Sequence, residues 1–303
     1  MGCYLRNWCY NNCIILNERE DRYMVHIITD SAADLEPQEY EKLGVTCIPL
    51  RVAFGDQEYQ EIIDLRKDRF YELLLGSEEF PKTSQAAPAV LEGLFERAKA
   101  EGGEAVYITL SSALSGTYQT AQMVREDVEH PGNFVFDSRN ATGGQRMLVE
   151  YACRLRDEGK SAAQIVDGLE SIRDRIELYA VVNTLEYLHK GGRISHAVYT
   201  LGNLAQIKPI IAVDTEGKVT LPGKVMGMRK GMDFLCKRLA ARKPDGDHPL
   251  YVMYTNNRAV AETLAQRLAV GGWEIPDERI IQVGAAIGAH VGPDACGIVY
   301  VGE

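Results

Sequence analysis

The chain has 303 residues and a formal net charge of −10, with 46% hydrophobic and 25% charged residues. That length is met better by two domains of ordinary size than by one large core, and the composition is globular rather than fibrous or disordered. The acidic balance opposes nonspecific attachment to nucleic acid or an anionic membrane, and no apolar run approaches the roughly 20 residues that span a bilayer.

Residues 1–23 mix Arg6, Trp8, Asn11, Asn12, Glu18, Arg19 and Asp21 and lack the apolar core of a secretory signal. They are expected to be a poorly ordered extension. From Val25 the pattern alternates. Val25–Thr29 is a short apolar strand ending in Thr29-Asp30-Ser31, Pro37–Leu43 a helix, and Val45–Phe54 a β-rich stretch. Asp68–Leu75 and Pro88–Ala100 are helical, Ala105–Leu110 a strand, Thr117–Asp127 a helix, Phe134–Asp137 a strand and Thr142–Glu158 a helix stopped at Gly159. Strands alternating with helices predict a parallel sheet covered on both faces, with ligands beyond the carboxyl ends of the strands. Ser161 caps a further helix reaching about Arg175. Then come strand Leu178–Val182, the short helix Leu185–His189 ended by Gly191-Gly192-Arg193, an apolar stretch to Val213 and a hairpin turn at Asp214–Gly217. Helix Met228–Ala241, strand Leu250–Tyr254, helix Ala259–Leu268, and strands Val283–Gly284 and Ile298–Val301 around a Gly288–Pro293 turn region complete the chain. The expected organisation is an α/β fold: a parallel-sheet α/β/α domain over 24–162 and a mixed-sheet α/β domain over 163–303.

The seven cysteines contain no C-x-x-C pair, and Cys3, Cys9 and Cys13 lack a nearby fourth ligand, so neither a disulfide framework nor a zinc ribbon is indicated. Cys47, Cys153, Cys236 and Cys296 sit among apolar residues, as buried free thiols do. A reducing cytoplasm is the expected location.

Three clusters carry chemistry. Ser111-Ser112-Ala113-Leu114-Ser115-Gly116-Thr117-Tyr118 crowds hydroxyls where a strand gives way to a helix. Pro81-Lys82-Thr83-Ser84-Gln85 precedes another helix, and Gly288-Ala289-His290-Val291-Gly292-Pro293 lies near the end of the chain. Free helix-start amides and short hydroxyls suit a carboxylate or phosphate, so the clusters suggest one composite anion site. Each residue also has a plainer reading: Ser115 as a helix cap, Thr83 and Ser84 as turn or cap residues, His290 as a satisfied structural histidine, Arg193 as a helix terminus, and Asp30 and Asp137 as caps.

The chain resembles the DegV family through Ile28-Thr29-Asp30-Ser31-Ala32-Ala33-Asp34-Leu35, Lys82-Thr83-Ser84-Gln85, the 111–118 cluster, Leu185-Glu186-Tyr187-Leu188, Gly191-Gly192-Arg193-Ile194-Ser195, Ile207-Lys208-Pro209-Ile210 and His290-Val291-Gly292-Pro293, in the family's order from Met24 to Glu303. The resemblance implies a two-domain fold with a long-chain fatty acid between the domains and no cofactor. The protein would be the carrier subunit of a bacterial fatty acid kinase, presenting the acyl carboxylate to a separate ATP-dependent catalytic subunit, with an acyltransferase downstream. It implies no nucleic-acid partner and only transient membrane contact. By the same resemblance Thr83, Ser115 and His290 hold the carboxylate. Arg193, Ser84, Gly116 and Asp30 belong to the head-group network, and Arg229 meets the kinase. Ala86, Val291 and Asp294 depart from the family pattern, and Asp294, four residues after His290, is placed either to hydrogen-bond the imidazole or to repel the ligand.

Two other classes compete. Ser115, His290 and one of Asp30, Asp137 or Asp294 would make a hydrolase triad, although no G-x-S-x-G elbow surrounds Ser115. The basic run from Arg229 to Lys243 would serve a nucleic-acid or regulatory module, against the acidic balance of the chain. A kinase acting alone is disfavoured, because no phosphate-loop or protein-kinase motif occurs.

Overall fold

A computed structural model describes residues 24–202 and 207–303. Residues 1–23, and with them the expected extension and Cys3, Cys9 and Cys13, lie outside the described residues. Strands β1 (Val25–Asp30), β2 (Val45–Ile48), β6 (Glu104–Thr109) and β7 (Asn133–Asp137) form a parallel sheet in the order β2-β1-β6-β7. Strands β8 (Ile176–Val181), β9 (Ile207–Val213), β10 (Val219–Met226), β11 (Tyr251–Tyr254), β12 (Ile280–Gln282) and β13 (Cys296–Val301) form a mixed sheet in the order β10-β9-β8-β13-β11-β12. A small antiparallel sheet, which the sequence reading did not foresee, joins β3 (Arg51–Phe54) to β4 (Gln57–Gln60) and β5 (Lys82–Ser84).

Period-two alternation decides which side chains go where. In β1, Val25 and Ile27 face the centre of the molecule and Ile28 the outside; in β6, Val106 and Ile108 face in and Ala105 and Tyr107 out. The outer face is covered by α3 (Pro88–Glu101) and α4 (Thr117–Val128). In the mixed sheet Ile176, Leu178, Val299 and Val301 face in, while Tyr179, Val181, Ile298 and Tyr300 pack against α9 (Gly227–Ala241) and α10 (Arg258–Val270). Between the sheets lie α5 (Thr142–Asp157) and α6 (Ala162–Arg173), whose Met147, Leu148, Ile165 and Leu169 complete one cluster with both inner faces. Helix α5 is polar toward both neighbours as well. Gln145 Nε2 donates to Asp30 Oδ1 (3.0 Å), and Glu150 accepts from Tyr251 Oη at 2.6 and 2.8 Å. Cys47, Cys153 and Cys296 are buried thiols, and Cys236 is half-buried. No helix among the described residues is long and apolar enough to cross a membrane.

The β-rich stretch Val45–Phe54 is two strands, β2 and β3, in different sheets. Pro49 cannot donate to a ladder, and Leu50 instead takes Ser31 Oγ as acceptor for its amide (3.0 Å) and accepts from Glu61 N–H (2.9 Å), so the chain leaves the parallel sheet there. The 288–293 segment is not a turn throughout: Ala285–Val291 is a helix, α11, and the strand before it is Ile280–Gln282 rather than Val283–Gly284. Gly288 serves close packing inside that helix, since a Cβ there would stand 2.6 Å from Tyr71 Oη and 2.7 Å from Phe70 Cε1. Helix termination falls to Gly292, at φ 77°.

Because the two sheets share the α5 cluster, Leu148→Ala, at a side chain with no solvent exposure, is expected to cost about 2–5 kcal/mol. It should shift one cooperative denaturant transition. Two separate transitions, only one of them moved by the substitution, would contradict a shared core.

Candidate functional site

A cavity of about 440 Å³ opens between the carboxyl ends of the parallel strands and the inner face of the mixed sheet, within the range of sites for small ligands. Its floor is one register row across four neighbouring strands: Ile211 of β9 pairs with Ala180 of β8, Ala180 with Gly297 of β13, and Gly297 with Met253 of β11. The two central strands carry the smallest residues, and that is what leaves the space. A Cβ at Gly297 would stand 2.6 Å from the Tyr179 carbonyl oxygen. Leucines, isoleucine and valines from both halves make the remaining wall largely apolar.

Thr83, Ser84, Gln85, Ser115, Gly116, Arg193 and His290 all line this cavity, so the three clusters separated in sequence meet in space. Thr83 sits in β5, not in a turn. Its hydroxyl shares a 2.8 Å hydrogen bond with His290 Nε2. His290 Nδ1 is buried with no partner among the described residues, beside Gly191. Burial first, and the Arg193 charge second, push the imidazole down to about 4, so it is neutral at physiological pH. An unpartnered ring N–H is costlier to bury than an unpartnered lone pair, which favours the tautomer with its proton on Nε2. The ring then donates to Thr83, and the Thr83 hydroxyl proton is free to point into the cavity.

Gly116, not Ser115, is the residue immediately before α4. Ser115 Oγ accepts from Thr117 N–H at 3.3 Å and lies 2.8 Å from Thr117 Oγ1, so it is both a turn residue and a cavity hydroxyl. Arg193 binds no carboxylate among the described residues. Its Nε donates to Leu114 O (3.0 Å) and its Nη1 to Gly191 O (2.5 Å), which ties the segment before Ser115 to the one after α7 (Glu186–Lys190). Half-buried, the guanidinium leaves a positive charge near the hydroxyls.

The other candidates lie elsewhere. Asp30 is fully buried behind the cavity wall, where it accepts from Leu110 N–H (2.7 Å), Ala32 N–H (3.1 Å) and Gln145; burial pushes its carboxyl up to about 6. It holds the ends of β1 and β6 together. Arg229 is exposed on the first turn of α9 and does not line the cavity. Asp294, expected either to bond His290 or to repel the ligand, is engaged with Asn256: Asp294 N–H donates to Asn256 Oδ1 (2.6 Å) and Asn256 Nδ2 to Asp294 Oδ1 (3.3 Å). Asp137 accepts from Ser112 and Arg139 amides. Among the described residues no carboxylate therefore backs His290, whose partner is Thr83 rather than Ser115, and they do not assemble the serine–histidine–acid relay of the hydrolase alternative. Sequence reading missed the Ala180–Gly297 pair, whose only signal is small size in two strands far apart in the chain.

A family model described as "uncharacterised protein, DegV family" matches residues 24–303. A DegV domain-containing protein of Halalkalibacterium halodurans is 35% identical over 279 residues, covering 91% of this chain and 98% of that one. Among solved structures, a DegV family protein from Thermus thermophilus described as binding fatty acid superposes with a TM-score of 0.82 at 29% identity, covering 91% of this chain and 99% of that one. A fatty acid binding DegV family protein from Streptococcus agalactiae also gives 0.82 at 29% identity, with 91% and 97% covered. Taken with the parallel and mixed sheets enclosing a common cavity, these matches establish that the chain belongs to the DegV family.

Proposed function

We propose that this protein is a non-enzymatic carrier that binds a long-chain fatty acid, its tail along the apolar cavity and its carboxylate at Thr83, Ser115 and His290, and presents that carboxylate to a separate ATP-dependent kinase for acyl-phosphate formation. The observation that carries the reading is the cavity itself: a largely apolar wall on which the hydroxyls of Thr83, Ser84 and Ser115 gather beside a half-buried arginine. A fatty acid needs both, since its tail gains by leaving water and its carboxylate cannot be buried without donors. The two solved relatives described as fatty-acid-binding support the ligand class.

The hydroxyls of Thr83 and Ser115 donate to the two carboxylate oxygens, each bond contributing about 1.5–3 kcal/mol because the acceptor is charged. His290 acts through Thr83: its Nε2 proton polarises the hydroxyl that meets the ligand, and such chains strengthen one another. Arg193 steadies the anion by proximity while its N–H groups hold main-chain carbonyls, which leaves the carboxylate less neutralised than in a direct ion pair and better able to attack a phosphoryl group. Arg229, exposed and away from the cavity, is the proposed contact for the kinase.

Native mass spectrometry of protein purified without detergent, followed by denaturation, should release one fatty acid per chain. An empty protein that also refuses added fatty acid would overturn this reading. Ser115→Ala is expected to speed lipid loss by about 10- to 100-fold, the worth of one charged hydrogen bond. Arg229→Ala should leave lipid in place and slow only the kinase reaction; loss of lipid from that variant would contradict the separation of roles. Ala180→Leu, which fills the floor of the cavity, should shift the retained ligand toward shorter acyl chains or exclude it while the fold survives, read by the mass of the released lipid and by circular dichroism.

A further inference from the structure

Helix α11 carries His290, and its entry is fastened by two buried carboxyl groups that the binding site does not otherwise use. Gly284 N–H donates to Asp34 Oδ1 (2.9 Å) and Ala286 N–H to Glu61 Oε1 (3.1 Å). A Cβ on Gly284 would stand 2.7 Å from the first oxygen and 2.3 Å from the second, so both carboxyls flank one glycine. Asp34 is 1% exposed and Glu61 2%. Ser31 Oγ donates to Glu61 Oε2 (2.6 Å) while accepting from Leu50 N–H, and Glu61 N–H closes onto Leu50 O (2.9 Å). Asp34 Oδ2 has no hydrogen-bond partner among the described residues, since the Thr142 hydroxyl beside it is turned to Met253 Sδ at 3.7 Å.

Glu61 directly follows β4, in the small sheet whose β5 bears Thr83. The carboxyl pair therefore stands between the element that supplies Thr83 and the helix that supplies His290. We propose that Asp34 and Glu61 are positioning residues for the head-group site: they dock α11 onto the small-sheet excursion, and the 2.8 Å contact between His290 and Thr83 depends on them. The inference rests on the reading of Thr83 and His290 as head-group residues. Neither acid lines the cavity, so each acts through the helix.

The arrangement is sensitive to protons. Two enclosed carboxylates around one glycine repel each other and lack water. Lys67, from α2 (Lys67–Gly76), is the cation facing them; its Nζ donates to the Asp34 carbonyl (2.9 Å) and pairs with the exposed Glu36 (2.7 Å). Asp30 of β1 adds negative charge, while Tyr40 of α1 (Pro37–Leu43), Cys47 of β2 and Tyr71 of α2 are pushed up by burial and stay neutral. Burial pushes Asp34 up to about 6 and Glu61 up to about 7. Since folding raises both, the stability they contribute is full below the ordinary carboxyl range and is lost as the pH rises through those values. Between pH 6 and pH 8, helix α11 is held better at pH 6, where Glu61 is still mostly protonated, and least well near pH 8, when both groups are ionised. Glutamine at position 61 keeps an acceptor for Ala286 N–H and removes the charge, while its amide N–H₂ faces Ser31 Oγ, which then accepts where it donated to the carboxylate.

The test combines two readouts between pH 6 and 8.5. One is ¹⁵N-histidine NMR of lipid-free protein, with the His290 signals assigned through His290→Gln. The other is the rate at which a fluorescent fatty acid leaves the protein for phosphatidylcholine vesicles. In the wild type the His290 signals should move with a midpoint near that of Glu61, about 7, although the ring does not itself titrate there, and lipid release should quicken by about tenfold from pH 6 to pH 8. Glu61→Gln should flatten both profiles and retain lipid, whereas Glu61→Ala should release lipid about tenfold faster at pH 6. If the alanine variant does not fold, Glu61→Gln and Asp34→Asn decide. A wild-type His290 signal insensitive to pH in this window, or a midpoint that Glu61→Gln leaves in place, overturns the proposal. Failure of the wild type to take up any fatty acid would defeat the carrier reading alone, because the NMR profile of the lipid-free protein still decides the positioning role.

Discussion

The cavity of this molecule follows from how far α5 reaches between the two sheets. A helix with its side chains is about 10–12 Å thick, so two sheets packed on opposite sides of one are held a helix apart. Where α5 begins, at Ala141 and Thr142, those two residues become part of the cavity wall. The sheets cannot close the gap, because Leu148, Met147 and Leu178 fix their separation farther along. The cavity is thus an unfilled continuation of a filled layer.

An apolar gap alone would tend to stay dry or collapse. Ala180 and Gly297 keep it open on the mixed-sheet side, and Leu110 and Leu114 bound it on the other. Its hydroxyls, imidazole and guanidinium gather in one cluster, where segments from both halves of the chain are knotted by side-chain hydrogen bonds. Arg193 grips the Leu114 carbonyl, and His290 meets Thr83. These bonds join segments far apart in the chain, so the cluster exists only when both sheets are in place. The buried carboxyls of Asp34 and Glu61 extend that dependence one step behind the site.

Much of the fold was legible. The strand–helix alternation from Val25 to Asp157 gave the parallel sheet, since apolar runs between turn signals report local periodicity, and Ser161 does cap α6 by accepting from Gln164 N–H. An error arose where a residue has two uses. Gly288 reads as a turn former but makes room for Phe70 and Tyr71, while Pro49 divides the β-rich stretch in two. Of the residues lining the cavity, Thr83, Ser115 and His290 were singled out from their chemistry and from the family likeness. Glu61 was not, because in an acidic stretch running from Asp56 to Asp64 it looks like one more solvated charge.

The sequence by itself determined the alternating elements, the family, and the hydroxyl, imidazole and guanidinium groups available to an anion, because periodicity and side-chain chemistry are properties of short segments. Only the tertiary structure decided that these groups face one cavity, that Asp30 and Asp294 face away from it, and that Ala180 and Gly297 share a row. The physical reason is that a cavity is made by what is missing between distant segments. Small size at one position becomes space only when register brings a second small residue beside it.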